Sequence, residues 1–167
     1  MLCGTLICVV ALLMGADLAL AGPPSWDDQI NNPSRFKVLK EFNDAAVLDM
    51  ETGLVWEQSP STATGFYWLL AQGHCNLIAV GNRSGWRLPT FQELASLTDG
   101  TQSDPALPLG HPFSNVQNDR YWSATDSALI PGRAWGVTFS NGDTGTAPVG
   151  DFLFVWCVRG GQGRDTQ

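Results

Sequence analysis

Gly85-Trp86-Arg87-Leu88-Pro89-Thr90-Phe91-Gln92-Glu93-Leu94 is the stretch from which the fold can be read. Thr90 and Glu93 stand three apart ahead of an apolar run, which is the spacing of a capping box. The Thr90 hydroxyl takes the backbone N–H of Glu93, and the Glu93 carboxylate reaches back to the backbone of Thr90. Pro89 fixes the entry. The spacing therefore predicts a helix from Phe91, with Phe91, Leu94 and Leu97 or Ala95 facing inward and Asp99-Gly100 ending it. Arg87 and Glu93 flank the motif as a charge pair or a set of hydrogen bonds pinning the loop. Trp86, Arg87, Thr90 and Glu93 are accordingly read as structural.

Upstream, a first helix is predicted after Thr64. Trp68, Ala71 and Cys75 fall on one helical face, and Leu69 and Leu70 widen the stripe. Gly73 weakens it by about 1 kcal/mol. Earlier still, Ala46-Val47-Leu48 and Leu54-Val55-Trp56 frame a hairpin with Gly53 at the turn. Downstream, residues 101–119 hold Pro105, Pro108 and Pro112 and read as a long irregular loop. Strands are expected at 121–125, at 134–139, near 144–147 after the Asn141-Gly142 turn, and at 152–158. The last is a continuous apolar run, expected to be one strand buried on both faces. Hairpin, two helices, long loop and strands make an α+β pattern, with two helices packed on a mostly antiparallel sheet.

Residues 2–14 are uncharged and apolar, and Ala19-Leu20-Ala21 supplies a small-x-small cleavage pattern before Gly22. The expected organisation is a signal peptide at 1–21, a lead-in at 22–43, the domain at 44–161 and a tail at 162–167. No Lys or Arg precedes the apolar run, so an uncleaved anchor is the rival. The run falls short of the ~20 residues needed to span a bilayer, and no later segment is expected to span. Cys3 and Cys8 leave with the leader. Cys75 and Cys157 remain in an oxidising periplasmic or cell-surface setting and are read as one disulfide between the first helix and the last strand.

The chain carries a net charge of −7, and lysine stops at Lys40. Such a surface argues against nucleic acid, whose phosphates require a basic face. Seven tryptophans among 167 residues point to a Trp-rich core or to some rings lining a binding face.

Several segments occur together in one order. They are Thr52-Gly53-Leu54-Val55-Trp56, then Trp68-x-x-Ala71-x-x-x-Cys75, then the Gly85–Leu94 stretch. Tyr121-Trp122-Ser123-Ala124-Thr125, Ala134-Trp135-x-Val137-x-Phe139-x-x-Gly142 and Cys157-Val158-Arg159-Gly160 follow. Across roughly 44–161 the chain resembles the C-terminal domain of the Legionella collagen-like protein, a family first described as a domain of unknown function. The resemblance implies a C-type lectin-like fold, whose long disulfide agrees with the Cys75–Cys157 pairing. It also implies a non-catalytic binding role, since the best-known bearer is an adhesin for sulfated glycosaminoglycans that is trimerised by a collagen-like stalk. This chain has no such stalk and no lysine in the domain, so neither trimers nor polyanion binding carries over. The oligomeric state is not set by the sequence.

The Trp-Arg-Leu-Pro-Thr motif also resembles that of formylglycine-generating enzymes, which need a reactive cysteine pair. Here both cysteines are committed to the bridge, and no enzyme is expected. His74 and His111 fit no hydrolase or metal spacing. The calcium tripeptides of C-type lectins are absent. Asn141, Asp143 and Asp151 could supply oxygens, but Asn141-Gly142-Asp143 is more simply a turn. No metal or cofactor is expected. A ligand site, for a glycan or a protein, is placed on Trp122, Asp126, Arg133 and Trp135 with the 101–119 and 126–133 loops. An aromatic ring beside Asp and Arg holds sugars by stacking and planar hydrogen bonds. The runner-up role is a structural one in an envelope assembly.

Overall fold

The computed structural model describes residues 34–160. The signal peptide read at 1–21, residues 22–33 of the lead-in and the 162–167 tail lie outside the described residues. The chain is α+β, with two helices and mostly antiparallel sheets. In chain order the elements are β1 (Phe36–Val38), a 3₁₀ turn (Lys40–Phe42), β2 (Ala46–Asp49), β3 (Val55–Glu57), β4 (Ser61–Phe66) and α1 (Trp68–Leu77). There follow α2 (Phe91–Ala95), β5 (Arg120–Asp126), β6 (Arg133–Thr138), β7 (Thr144–Pro148), β8 (Leu153–Val155) and β9 (Val158–Arg159). Among the described residues, no helix is long and apolar enough to cross a membrane.

One sheet runs β1-β2-β3-β9, all antiparallel. The other runs β4-β8-β5-β6-β7, antiparallel except for the β5–β8 pair. The β2–β3 hairpin is as expected. The packed unit, however, begins at Phe36 rather than near Asp44. β1 pairs along β2, and Arg35 just before it is buried against Asp49, with Nη2 2.8 Å from Oδ2. A basic residue in a breaker-rich lead-in reads as surface. It is internal here because a carboxylate on the neighbouring strand neutralises it.

The expected strand at 152–158 is two strands in different sheets, with Trp156 and Cys157 between them. Phe154, Trp156 and Val158 enter one core with Trp56, Tyr121, Phe139 and α2's Leu94. Val155 and Cys157 enter the other with Ala71, Cys75, Trp86 and Trp122. Alternate side chains thus go to two cores, and every position is apolar although the chain changes sheets. Trp56, Trp86, Trp122 and Trp156 are all buried, so most of the tryptophans described are core.

α1 buries Ala71 and Cys75 as predicted. Leu69 and Leu70 do not widen that stripe. At 3.6 residues per turn they lie about 120° and 140° around from Cys75, and they are exposed. Leu77 is 86% exposed. α2 is shorter than predicted, ending at Ala95, but Leu94 and Leu97 both face the core. β4 had no counterpart in the sequence reading.

Candidate functional site

The Arg87 segment is fixed from both sides. Its backbone N–H donates to Val158 O and its carbonyl accepts from Val158 N, each at 2.9 Å. The Ala124 N–H donates to Pro89 O, and the Phe91 N–H to Thr125 Oγ1 at 2.9 Å. The loop before α2 is therefore stitched to β9 on one side and to the end of β5 on the other. The capping box is present: Glu93 N donates to Thr90 Oγ1 at 3.3 Å, and Thr90 N to Glu93 Oε2 at 2.8 Å.

Arg87 meets Glu93 in a two-pronged pair, with Nη1 to Oε2 and Nη2 to Oε1 both at 2.7 Å. Nη2 also donates to Gly160 O at 2.6 Å, and Nη1 weakly to Leu88 O at 3.4 Å. Burial pushes the Glu93 carboxyl up. The hydrogen bonds from Arg87 and Thr90, with the Arg87 charge, more than reverse this and leave it below the ordinary carboxylate range. Trp86 is buried beneath, its Nε1 donating to Arg83 O at 2.8 Å. Thr90→Ala is expected to cost about 1 kcal/mol in chemical denaturation, as for other N-cap deletions.

Between this motif and the end of β5 an open cleft of about 540 Å³ is lined by Arg87, Leu88, Thr90, Gln92, Glu93 and Ala124. Its size falls in the range of small-molecule sites. Nothing in the sequence marked Gln92 or Ala124 for such a role. An exposed alanine in a strand and a glutamine on a helix look like ordinary surface.

The predicted ligand residues do not all share one face: Arg133 and Trp135, two apart on β6, do, and Trp122 does not. Trp122 lies directly opposite Gly136, so alternation puts it and Trp135 on opposite faces of the β5–β6 ribbon. Trp122 is 0% exposed and its Nε1 donates to Phe66 O at 2.8 Å. It is a core residue, and its assignment to a binding surface is corrected. Trp135 is half-buried, its ring 4.9 Å from that of Phe91. Arg133 is tied to β7 through Thr146, with Nε to Oγ1 at 2.9 Å and Nη2 to the Thr146 carbonyl. Asp126 is exposed at the end of β5, opposite Ala134.

Asn141 and Asp143 bond each other across a turn, Nδ2 to Oδ2 at 2.6 Å and the Asp143 N–H to Asn141 Oδ1 at 3.1 Å. Among the described residues no group of three or more His, Cys, Asp or Glu could hold a metal ion. Burial lowers both His74 and His111, and a backbone hydrogen bond to Phe113 partly offsets this for His111. His74 lies 4.6 Å from the Phe66 ring. Cys75 and Cys157 are joined, with Cα atoms 5.4 Å apart and both side chains buried.

Beside the bridge lies a group the sequence reading missed. Glu57 is buried, and among the described residues its carboxylate accepts only the Cys157 N–H, Oε2 to N at 2.8 Å. Desolvation raises its carboxyl to about 7, against the smaller lowering effect of that hydrogen bond.

A disulfide-closed α+β domain with its signature loop bordering an open cleft defines the class of protein. The family model of the Lcl C-terminal domain matches residues 45–159, and the chain belongs to that family. No curated protein matches the chain.

Proposed function

We propose that this chain is an exported, non-catalytic binding domain of the bacterial envelope that takes a glycan in the Arg87–Ala124 cleft. The observation that carries this reading is the cleft itself, which borders the family's most distinctive motif and rests on hydrogen bonds to two sheets. A C-type lectin-like fold is part of the proposal. Supporting it are two helices, short strands in two sheets, the long irregular segment between α2 and β5, and a bridge from α1 to the residue before β9. Export is supported by the disulfide, which persists in oxidising compartments. A non-catalytic role is supported by the pairing of Cys75 with Cys157, which leaves a formylglycine-type oxidation without its thiols.

The test is a glycan array probed with the protein, with and without EDTA, beside an Ala124→Trp variant that fills the cleft from an exposed position. Binding that survives EDTA and is lost in the variant at unchanged melting temperature is the expected result. Binding that the variant retains places the site elsewhere.

A second reading, docking to a protein partner in an envelope assembly, is favoured by one observation. No charged residue occurs between Glu57 and Arg83, and Tyr67, Leu69, Leu70, Leu77 and Phe152 are exposed there and beside it. The rings of Tyr67 and Phe152 lie 4.2 Å apart. An assembly role predicts that Leu70→Asp removes association and leaves glycan binding unchanged.

A further inference from the structure

We infer that the cleft selects an uncharged, hydroxyl-bearing ligand, a neutral glycan, and rejects sulfated or carboxylated ones; this rests on the cleft being the binding site. Among the described residues Arg87 is the one cation lining it, and its charge is already used. Of the five N–H donors of a guanidinium, four point at Glu93, Gly160 O and Leu88 O. Only the Nε–H is without a protein partner among the described residues. An incoming sulfate would have to separate a pair held at 2.7 Å by two parallel bonds. It would then face the freed Glu93 carboxylate. Arg83 and Arg159 flank the Phe42 ring at 4.9 and 5.9 Å, outside the cleft lining. With a net charge of −7, the chain as a whole repels polyanions rather than steering them in.

What the cleft still offers is mixed. The Arg87 Nε–H and the Thr90 hydroxyl hydrogen can donate. Glu93 Oε1 accepts one bond and has room for another. The Gln92 side chain is exposed and offers both a donor and an acceptor. Ala124 supplies exposed apolar surface, with the buried Leu88 behind it. A sugar hydroxyl both donates and accepts, and the C–H face of the ring is apolar, so a neutral glycan can use every one of these groups. A sulfate or carboxylate only accepts. It can use neither Glu93 nor the Gln92 carbonyl, and it meets the like charge of Glu93 at close range, which counts against binding.

The experiment is ¹⁵N NMR titration of the protein with three neutral probes, hexa-N-acetylchitohexaose, cellohexaose and maltohexaose, and with a heparin hexasaccharide. The result expected is saturable movement of the Arg87 Nε–H, Gln92 side-chain and Ala124 backbone signals with at least one neutral probe. That response should be indifferent to added NaCl and absent in Ala124→Trp. Heparin should leave these signals in place. In Glu93→Gln, which keeps the shape and frees the Arg87 charge, heparin binding at the cleft should rise at least about tenfold, as expected when a compensating like charge is removed. Heparin moving the cleft signals of the unaltered protein, with a response that collapses in salt, overturns the inference while leaving the cleft as the binding site. No movement there with any probe, neutral or anionic, overturns both.

Discussion

Replacing Cys75 and Cys157 together by alanine is expected to lower the unfolding free energy by about 4.5 kcal/mol. The bridge closes a loop with a sequence separation of 82, and loop-closure entropy at that length gives this figure at 25 °C. The Cα separation of 5.4 Å lies inside the normal range of ~4.4–6.8 Å, so the backbone need not distort to make the bond. Both sulfurs sit in the core between α1 and the chain ahead of β9, among Ala71, Trp86 and Trp122. The alanines also leave a small cavity there. Small domains are stable by about 5–15 kcal/mol, so the variant should be close to unfolding at 37 °C. Urea titrations of the oxidised protein and the double variant measure the difference. A gap below about 1 kcal/mol would show that the unfolded chain is already compact and that the entropic account fails.

Glu57 sets the second large effect. Its carboxyl titrates at about 7 in the folded chain and near 4.5 when unfolded, so the folded state holds this proton more tightly. The stability it contributes is complete below pH 4.5, declines as pH rises, and is lost once pH passes about 7. A difference of that size corresponds to about 3 kcal/mol across the window. Glu57→Gln keeps an oxygen for the Cys157 N–H, carries no charge, and should flatten the profile. The variant is expected to be more stable than the unaltered protein at pH 8 and nearly equal to it at pH 4.5. Glu93, whose carboxyl is lowered, acts in the opposite sense and only below about pH 4.5, where its pairing with Arg87 is lost. The two contributions therefore separate along the pH axis. Parallel profiles for Glu57→Gln and the unaltered protein would show that water reaches the carboxylate.

What could be read from the sequence was local. Thr90 and Glu93 carry a helix start within four residues, and the capping box is present. The Ala46–Trp56 hairpin has its glycine at the turn. Cys75 and Cys157 pair because only two cysteines remain once an oxidising compartment is assumed. The family could be read as well, because its motifs lie in register along the chain. What could not be read depends on which sheet a strand joins. β4 is Ser-Thr-Ala-Thr-Gly-Phe, with no alternation, and its register against β8 shifts between Ser61 and Phe66. Leu69 and Leu70 looked internal because they are apolar and adjoin Trp68 and Ala71, but at about 100° per residue they fall outside the arc that α1 buries. Trp122 and Trp135 looked like neighbours, but a strand sends adjacent residues to opposite faces, and only pairing with Gly136 decides which face is covered. The cleft is made by Ala124 meeting a segment more than thirty positions earlier, a proximity that no periodicity encodes.

The placement of the bridge has a mechanical consequence. β9 is two residues long, and Cys157 stands directly before it. Tension applied from the C-terminal side peels Gly160, Arg159 and Val158 off Arg87 and β3, and is then arrested by a covalent bond that hands the load to α1. The residues between 75 and 157 form a closed ring that cannot be drawn out by that force. Every residue lining the cleft lies inside the ring. A domain tethered on that side and holding a ligand under flow would keep the cleft within its locked ring until the disulfide itself was reduced.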